Sequence, residues 1–323
     1  MTAQNPHEGG QRLQNFPVTF FAVIMGLSGI TLAFHAGAVE YPVLEQANVV
    51  SLWITTLAFG LISLVYAVKA AKHFSHVKAE WQHPVRLAFF PAISISALLV
   101  ILAWLGHVGD AVRPFFFVAA GMQIVLTLAV ISGWIGHRAF QHGQLSPAWF
   151  IPAVGNVLVP LIGIPLGYVD LSWFFFSFGM IFWIILLTLV VNRLVFHDPL
   201  PGKLQPTLVI LIAPPAIGFV AWIALVGFDP FARVLANVAF VFALIVAVQI
   251  PKLVKLPFAM SFWALSFPLA ALTIASFKYG AATQAELFTY LGTALLFLLT
   301  GVIVGLILRT LRAAHAGKIC VPE

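Results

Sequence analysis

Residues 146–167 read SPAWFIPAVGNVLVPLIGIPLG. From Trp149 to Gly167 the run is apolar and about long enough to cross a bilayer, which takes roughly 20 residues. It is nonetheless interrupted by Pro152, Pro160 and Pro165. A proline inside a helix deletes one hydrogen bond and clashes with the preceding turn, at a cost of about 3 kcal/mol or more. In hydrocarbon the freed carbonyl has no water to turn to. Such backbone is tolerated where it packs in protein or lines a cavity that can hydrate it. The stretch therefore predicts a broken spanning helix that faces the protein interior.

The rest of the chain repeats this pattern. Ten apolar segments stand out: Val18–Ala36, Val49–Val68, Leu87–Gly106, Phe115–Ile135, Trp149–Gly167, Leu171–Val191, Thr207–Val226, Val234–Gln249, Pro257–Phe277 and Leu287–Leu308. Interior prolines fall only in odd segments: Pro91 in the third, three in the fifth, Pro214 and Pro215 in the seventh, and Pro268 in the ninth. The first has Gly26 and Gly29 instead. Taking Gly26, Pro91, Pro152, Pro214 and Pro268 as markers, the spacings are 65, 61, 62 and 54 residues. That periodicity predicts five helical hairpins, each a broken helix followed by an intact one. The expected architecture is all-α and polytopic, an inner ring of five kinked helices inside an outer ring of five straight ones.

Composition agrees. Of 323 residues, 62% are hydrophobic and only 8% charged, with a mean hydropathy of +1.05. Soluble domains carry about 25% charged residues, so lipid must solvate much of this surface. The lone cysteine, Cys320, excludes an internal disulfide framework and a cysteine zinc site. Residues 1–16, MTAQNPHEGGQRLQNF, lack the apolar core of a signal peptide and are expected to be a cytoplasmic tail. The expected division is this tail, a transmembrane domain over residues 17–310, and a second cytoplasmic tail over 311–323.

The net charge of +6 is explained by topology, not by nucleic acid, because the basic residues sit between the apolar runs. All 16 of them except Arg113, Arg233 and Lys278 fall on the side of the two termini. The positive-inside rule places that side in the cytoplasm. An even number of spans needs both termini on one side, which matches.

Signals for enzymatic or cofactor chemistry are sparse. Nine of the ten histidines lie in tails, loops or at helix ends, and His35 lies at the outer end of the first segment. No histidine pair sits at matched depth on facing helices, as a doubly ligated haem requires. Neither a phosphate-binding glycine loop nor a nucleophile elbow occurs. No enzyme, metal or cofactor is expected. No segment carries Lys, Arg, Asp or Glu near its middle, whereas proton-coupled carriers usually keep an ionisable relay at depth. A path lined by neutral groups binds its ion weakly, and weak binding permits exit. Asn156, one turn after Pro152, serves either as an interhelical hydrogen bond or as pore lining. Broken helices expose N–H groups and partly positive helix ends, which favour anions.

Four stretches carry a family resemblance: HPVRLAFFPA from His83, SPAWFIPAVGN from Ser146, LIAPPA from Leu211 and FWALSFPLAALTIAS from Phe262. In order and spacing they resemble the tellurite-resistance/dicarboxylate transporter family, which includes bacterial TehA proteins, plant guard-cell slow anion channels, and yeast malate and sulfite permeases. The resemblance spans about Phe16 to Leu308. It implies five hairpins around a quasi-fivefold pore, a homotrimer with one pore per subunit, and a bacterial inner-membrane location. It also implies a pore-plugging phenylalanine of the ninth helix, which falls here on Phe267, between Ser266 and Pro268. Close relatives often have a proline in the middle of helix one, where this chain has Ile24, Met25 and Gly26; Ala22 and Met25 are expected to line the path nearby. The expected function is passive permeation of small anions, with a carrier or exporter of an oxyanion or dicarboxylate (tellurite, sulfite or malate) as the alternative.

Overall fold

The computed structural model describes residues 12–136 and 140–321. Most of the N-terminal tail, including His7, and the loop residues His137 and Arg138 lie outside the described residues. All regular structure among the described residues is helical.

The chain runs through α1 (Phe21–Ala38), α2 (Leu44–Lys72), the short α3 (Phe74–Gln82), α4 (Ala92–Val108) and α5 (Arg113–Gly136). It continues through the short α6 (Phe150–Val154) and α7 (Val159–Gly163) to the long α8 (Val169–Phe196). It ends with α9 (Ala213–Leu225), α10 (Pro230–Ala247), α11 (Ser266–Thr283) and α12 (Glu286–His315). Among the described residues, eight helical stretches are long and apolar enough to cross a membrane, against the ten segments expected. The two numbers differ for local reasons. One stretch, Arg86–Gly136, contains the third and fourth expected segments, joined by a tight 3-10 turn that starts at Gly109, whose φ is +54°. The fifth expected segment, with its three prolines, breaks into the short pieces of Pro147–Gly163.

The odd segments share a construction that prolines alone do not announce. Each enters through a 3-10 turn before its α-helix: Val18–Phe20, Arg86–Phe89, Pro147–Trp149, Gln205–Ile212 and Met260–Leu265. The marker prolines then fall at the start of a fresh α-helix. Pro91 is the N-cap of α4, Pro214 is the second residue of α9, and Pro152 and Pro268 are the third residues of α6 and α11. A helix's first turn has no intrahelical partner for its N–H groups, so proline costs little there. The expected kinks are thus restarts. α1 has no such proline and runs unbroken through Gly26 and Gly29. Those glycines serve close packing: a Cβ on Gly26 would collide with the Ser266 hydroxyl, and one on Gly29 would lie 2.8 Å from the Ala270 Cβ.

Burial separates the two kinds of segment. In the membrane-crossing windows of α1, α9 and α11, with their 3-10 entries, 67%, 72% and 67% of residues are buried. In those of α2, α8, α10 and α12 the shares are 17%, 33%, 28% and 28%. Every residue from Pro147 to Gly163 is buried except Leu161, which is partly so. The broken segments also touch in a closed cycle. α1 packs on α4, α4 on α7, α7 on α9, α9 on α11, and α11 back on α1. Each intact helix packs behind the broken one that precedes it in the chain. Between α9 and α10, Asp229 caps the new helix by accepting from the Ala232 N–H at 2.8 Å and holds the Trp222 indole N–H at 2.9 Å.

One polar knot fastens α3 to the core. The Lys69 ammonium meets the Glu80 carboxylate at 2.8 Å and also donates to the Phe16 carbonyl at 2.8 Å. Glu80 further accepts from the Tyr66 hydroxyl at 3.0 Å and from the Val18 N–H, the entry of the first broken segment, at 3.2 Å. Lys69 is 1% exposed and Glu80 3%. Replacing Glu80 by Gln strands a buried ammonium, which costs about 3–5 kcal/mol. Glu80→Gln is expected to unfold at a clearly lower temperature in detergent, with Lys69→Met in the same chain recovering most of the loss. Equal melting of Glu80→Gln and the parent would refute the anchoring role.

Candidate functional site

Where the five broken segments meet, they leave a void of about 30 Å³. Each contributes to its wall: Met25 from α1, Ile95 from α4, Phe150, Ile151, Val154, Gly155 and Leu158 in and after α6, Ile210, Ala213, Pro214 and Ile217 around the start of α9, and Phe267 from α11. No polar side chain is among the lining residues. The volume suits one water, but a buried water needs two to four polar partners, so the void is dry.

On the side of the described termini lies a second cavity, of about 1100 Å³. Its wall includes Ala22, one turn before Met25, and Ala264, three residues before Phe267. It therefore comes within about one helical turn, roughly 5 Å, of the void. Arg86, Lys203, Arg309, Arg312 and Lys318 line it, together with the Lys69–Glu80 pair. The tail after α12 folds back along this cavity through Lys318, Ile319 and Cys320. Burial pushes the Cys320 thiol up from its ordinary range, while the positive charges of Lys69 and Arg12 pull the other way.

The residues singled out in the sequence divide by position. Met25, Pro214 and Phe267 lie on the void, and Ala22 lies on the large cavity. Gly26 and Ser266 meet behind it, where α1 and α11 touch, and the Ser266 hydroxyl donates to the Trp263 carbonyl at 2.6 Å. Pro91 and Pro268 start their helices beside the void without lining it.

Asn156 turns away from the void. Its amide nitrogen donates to the carbonyls of Pro152 and Ala153, both at 3.0 Å, and to the Thr127 hydroxyl of α5 at 3.3 Å. The Pro152 carbonyl also accepts from the Thr127 hydroxyl at 2.9 Å and the Gln123 amide at 3.2 Å. Ser94 of α4 closes the network: its one hydroxyl proton is shared between Gln123 Oε1 at 2.7 Å and the Pro91 carbonyl at 2.9 Å. Side chains from an intact helix thus supply the hydrogen bonds that a broken one lacks.

Two features escape a sequence reading. Glu80 sits in a basic loop, and only the amphipathic pattern of 74–82 hints that it turns inward. Lys278 looks like a loop residue but lies within α11, where it is exposed between the buried Phe277 and Tyr279. Eleven residues from Phe267, it returns to the same helical face about three turns on, roughly 16 Å away. It is the only Lys, Arg, Asp or Glu in the α-helices of the five broken segments.

Residues 15–311 match the SLAC1 family, described as voltage-dependent anion channels. The chain belongs to that family. An uncharacterised transporter of Methanocaldococcus jannaschii is 25% identical over 95% of this chain and 97% of its own length. The tellurite resistance protein TehA homologue of Haemophilus influenzae is 26% identical over 83% of each chain. An S-type anion channel of Arabidopsis thaliana is 27% identical over 83% of this chain but 53% of its own. Membership in the SLAC1 family and the apolar helices together make this a multi-span membrane protein, and two of these three relatives are named as a transporter and an anion channel.

The α4–α5–α6 network gives a structural test. Gln123→Leu removes one of the donors to the Pro152 carbonyl and one of the two acceptors within reach of the Ser94 hydroxyl, which keeps the Pro91 carbonyl. A loss of about 1–3 kcal/mol is expected, read as a lowered unfolding midpoint in detergent. An unchanged midpoint would show that the break at Pro152 does not depend on Gln123.

Proposed function

We propose that this protein lets small anions cross the bacterial inner membrane passively, along the axis of five broken helices, with the Phe267 ring as the plug. In this reading the eight long stretches, one of them (86–136) divided into two spans, together with the interrupted segment 147–163 make up ten spans in five hairpins. The chain's termini lie in the cytoplasm, and the subunit assembles as a homotrimer with one path each. The observation that carries the proposal is the dry void of about 30 Å³, bounded by all five broken segments and by Phe267.

The chemistry supports anions over cations. The large cavity on the terminal side is lined by five Lys and Arg side chains besides the paired Lys69. Lys278 stands on the Phe267 face of α11, on the far side of the plug from that cavity. Clefts lined by one sign of charge raise the local concentration of the opposite ion. Between them the path carries no charge, so an anion is drawn in but not held, as conduction requires. The names of the relatives support anion transport in general. A carrier mechanism differs in its kinetics, through saturation and counterflow in proteoliposomes.

Phe267→Ala is expected to raise anion conductance in planar bilayers tenfold or more, a factor that ~1.4 kcal/mol of barrier supplies. Background current from a variant that reaches the membrane would remove Phe267 from the path. In that background, Lys278→Glu is expected to move the reversal potential in a salt gradient toward cations. A cation-selective Phe267→Ala protein would end the anion reading itself.

A further inference from the structure

The positive-inside rule accounts for basic residues at one end of the molecule, not for their convergence on one cavity. Five Lys and Arg side chains from separate parts of the chain line the large cavity. Arg86 precedes α4, Lys203 precedes α9, Arg309 and Arg312 lie one turn apart near the end of α12, and Lys318 comes from the tail. Lys72, Lys78, Lys252 and Lys255 belong to neighbouring stretches and do not line it. Glu80, the one carboxylate among the described residues of the wall, is held by Lys69.

Size adds a second constraint. Small-molecule sites are commonly about 300–1,000 Å³, and this cavity holds about 1100 Å³. The void beyond it holds about 30 Å³. An anion with several charges can engage several cations at once, and guanidinium groups pair phosphate oxygens through two parallel hydrogen bonds. Such an anion is too bulky for the void. A monovalent ion engages fewer cations and leaves more readily.

We infer that the large cavity is a binding site for a soluble polyvalent oxyanion of the polyphosphate class, which occupies the mouth and keeps smaller anions from reaching Phe267. The binding half is independent of the permeation reading, and the blocking half rests on it.

The test titrates the purified full chain with inorganic tripolyphosphate in a calorimeter, at about 0.1 M salt, where charges are screened beyond roughly 10 Å. A saturable site is expected, with no saturable heat from chloride at matched ionic strength. The double substitution Arg309→Gln and Arg312→Gln is expected to weaken binding about tenfold or more, the worth of one charged hydrogen bond. Lys318→Gln is expected to weaken it in the same direction. Absence of saturable binding overturns the site. So does undiminished affinity in the double variant when its gel-filtration profile matches the parent.

In bilayers carrying Phe267→Ala, tripolyphosphate added on the tail side is expected to suppress chloride current, and the double variant to need about tenfold more. A current untouched by saturating tripolyphosphate overturns the blocking half. A Phe267→Ala protein that binds tripolyphosphate yet passes no current removes Phe267 from the path, overturns the blocking half and supports the site alone.

Discussion

A peptide group stripped of its helical partner cannot be left in hydrocarbon. Water is absent there, and each unsatisfied amide or carbonyl costs several kcal/mol. This constraint sorts the molecule into two layers. The segments that begin in 3-10 turns and restart at prolines are the buried ones, and the continuous helices α2, α8, α10 and α12 are the open ones. The division of labour is visible at Pro152, whose carbonyl is satisfied by Gln123 and Thr127 from the intact α5 and by Asn156 beyond the break. The outer helices therefore do more than shield the inner ones from lipid. They complete the inner backbone's hydrogen bonding.

Much of this division was legible in the sequence, because proline is a loud signal and lipid leaves it few places to go. The odd-only placement of Pro91, Pro152, Pro214 and Pro268 marks the buried segments without any coordinates. The 3-10 entries were not legible. Stretches such as QPTLVILI at Gln205–Ile212 have the composition of an ordinary apolar helix, and the choice between 3-10 and α is made by packing. Gly26 carries the same ambiguity. A glycine reads equally as a place to bend or a place to touch, and contact with Ser266 decides it.

The site was legible only in part. Ile95, Ile151 and Ile217 line the void but are, as letters, indistinguishable from isoleucines of the core. Asn156 drew attention as a polar residue in an apolar run, yet its partners are backbone carbonyls and Thr127. The convergence of Arg86, Lys203, Arg309, Arg312 and Lys318 joins parts of the chain that are far apart in sequence, and charge counting sees only that they share a side. Glu80 was hidden for a related reason: its partners Lys69, Tyr66 and the Val18 N–H come from two other elements.

The void beside Phe267 offers an ion no hydrogen-bond donor and no charge. Whatever crosses there must leave most of its hydration shell behind and receives little in exchange. On the path proposed above, passage is then ranked by how cheaply each ion sheds water. Large, diffuse anions such as thiocyanate or nitrate surrender it more easily than compact ones such as fluoride. A waist of this kind sorts solutes along a lyotropic series, without needing to recognise any of them.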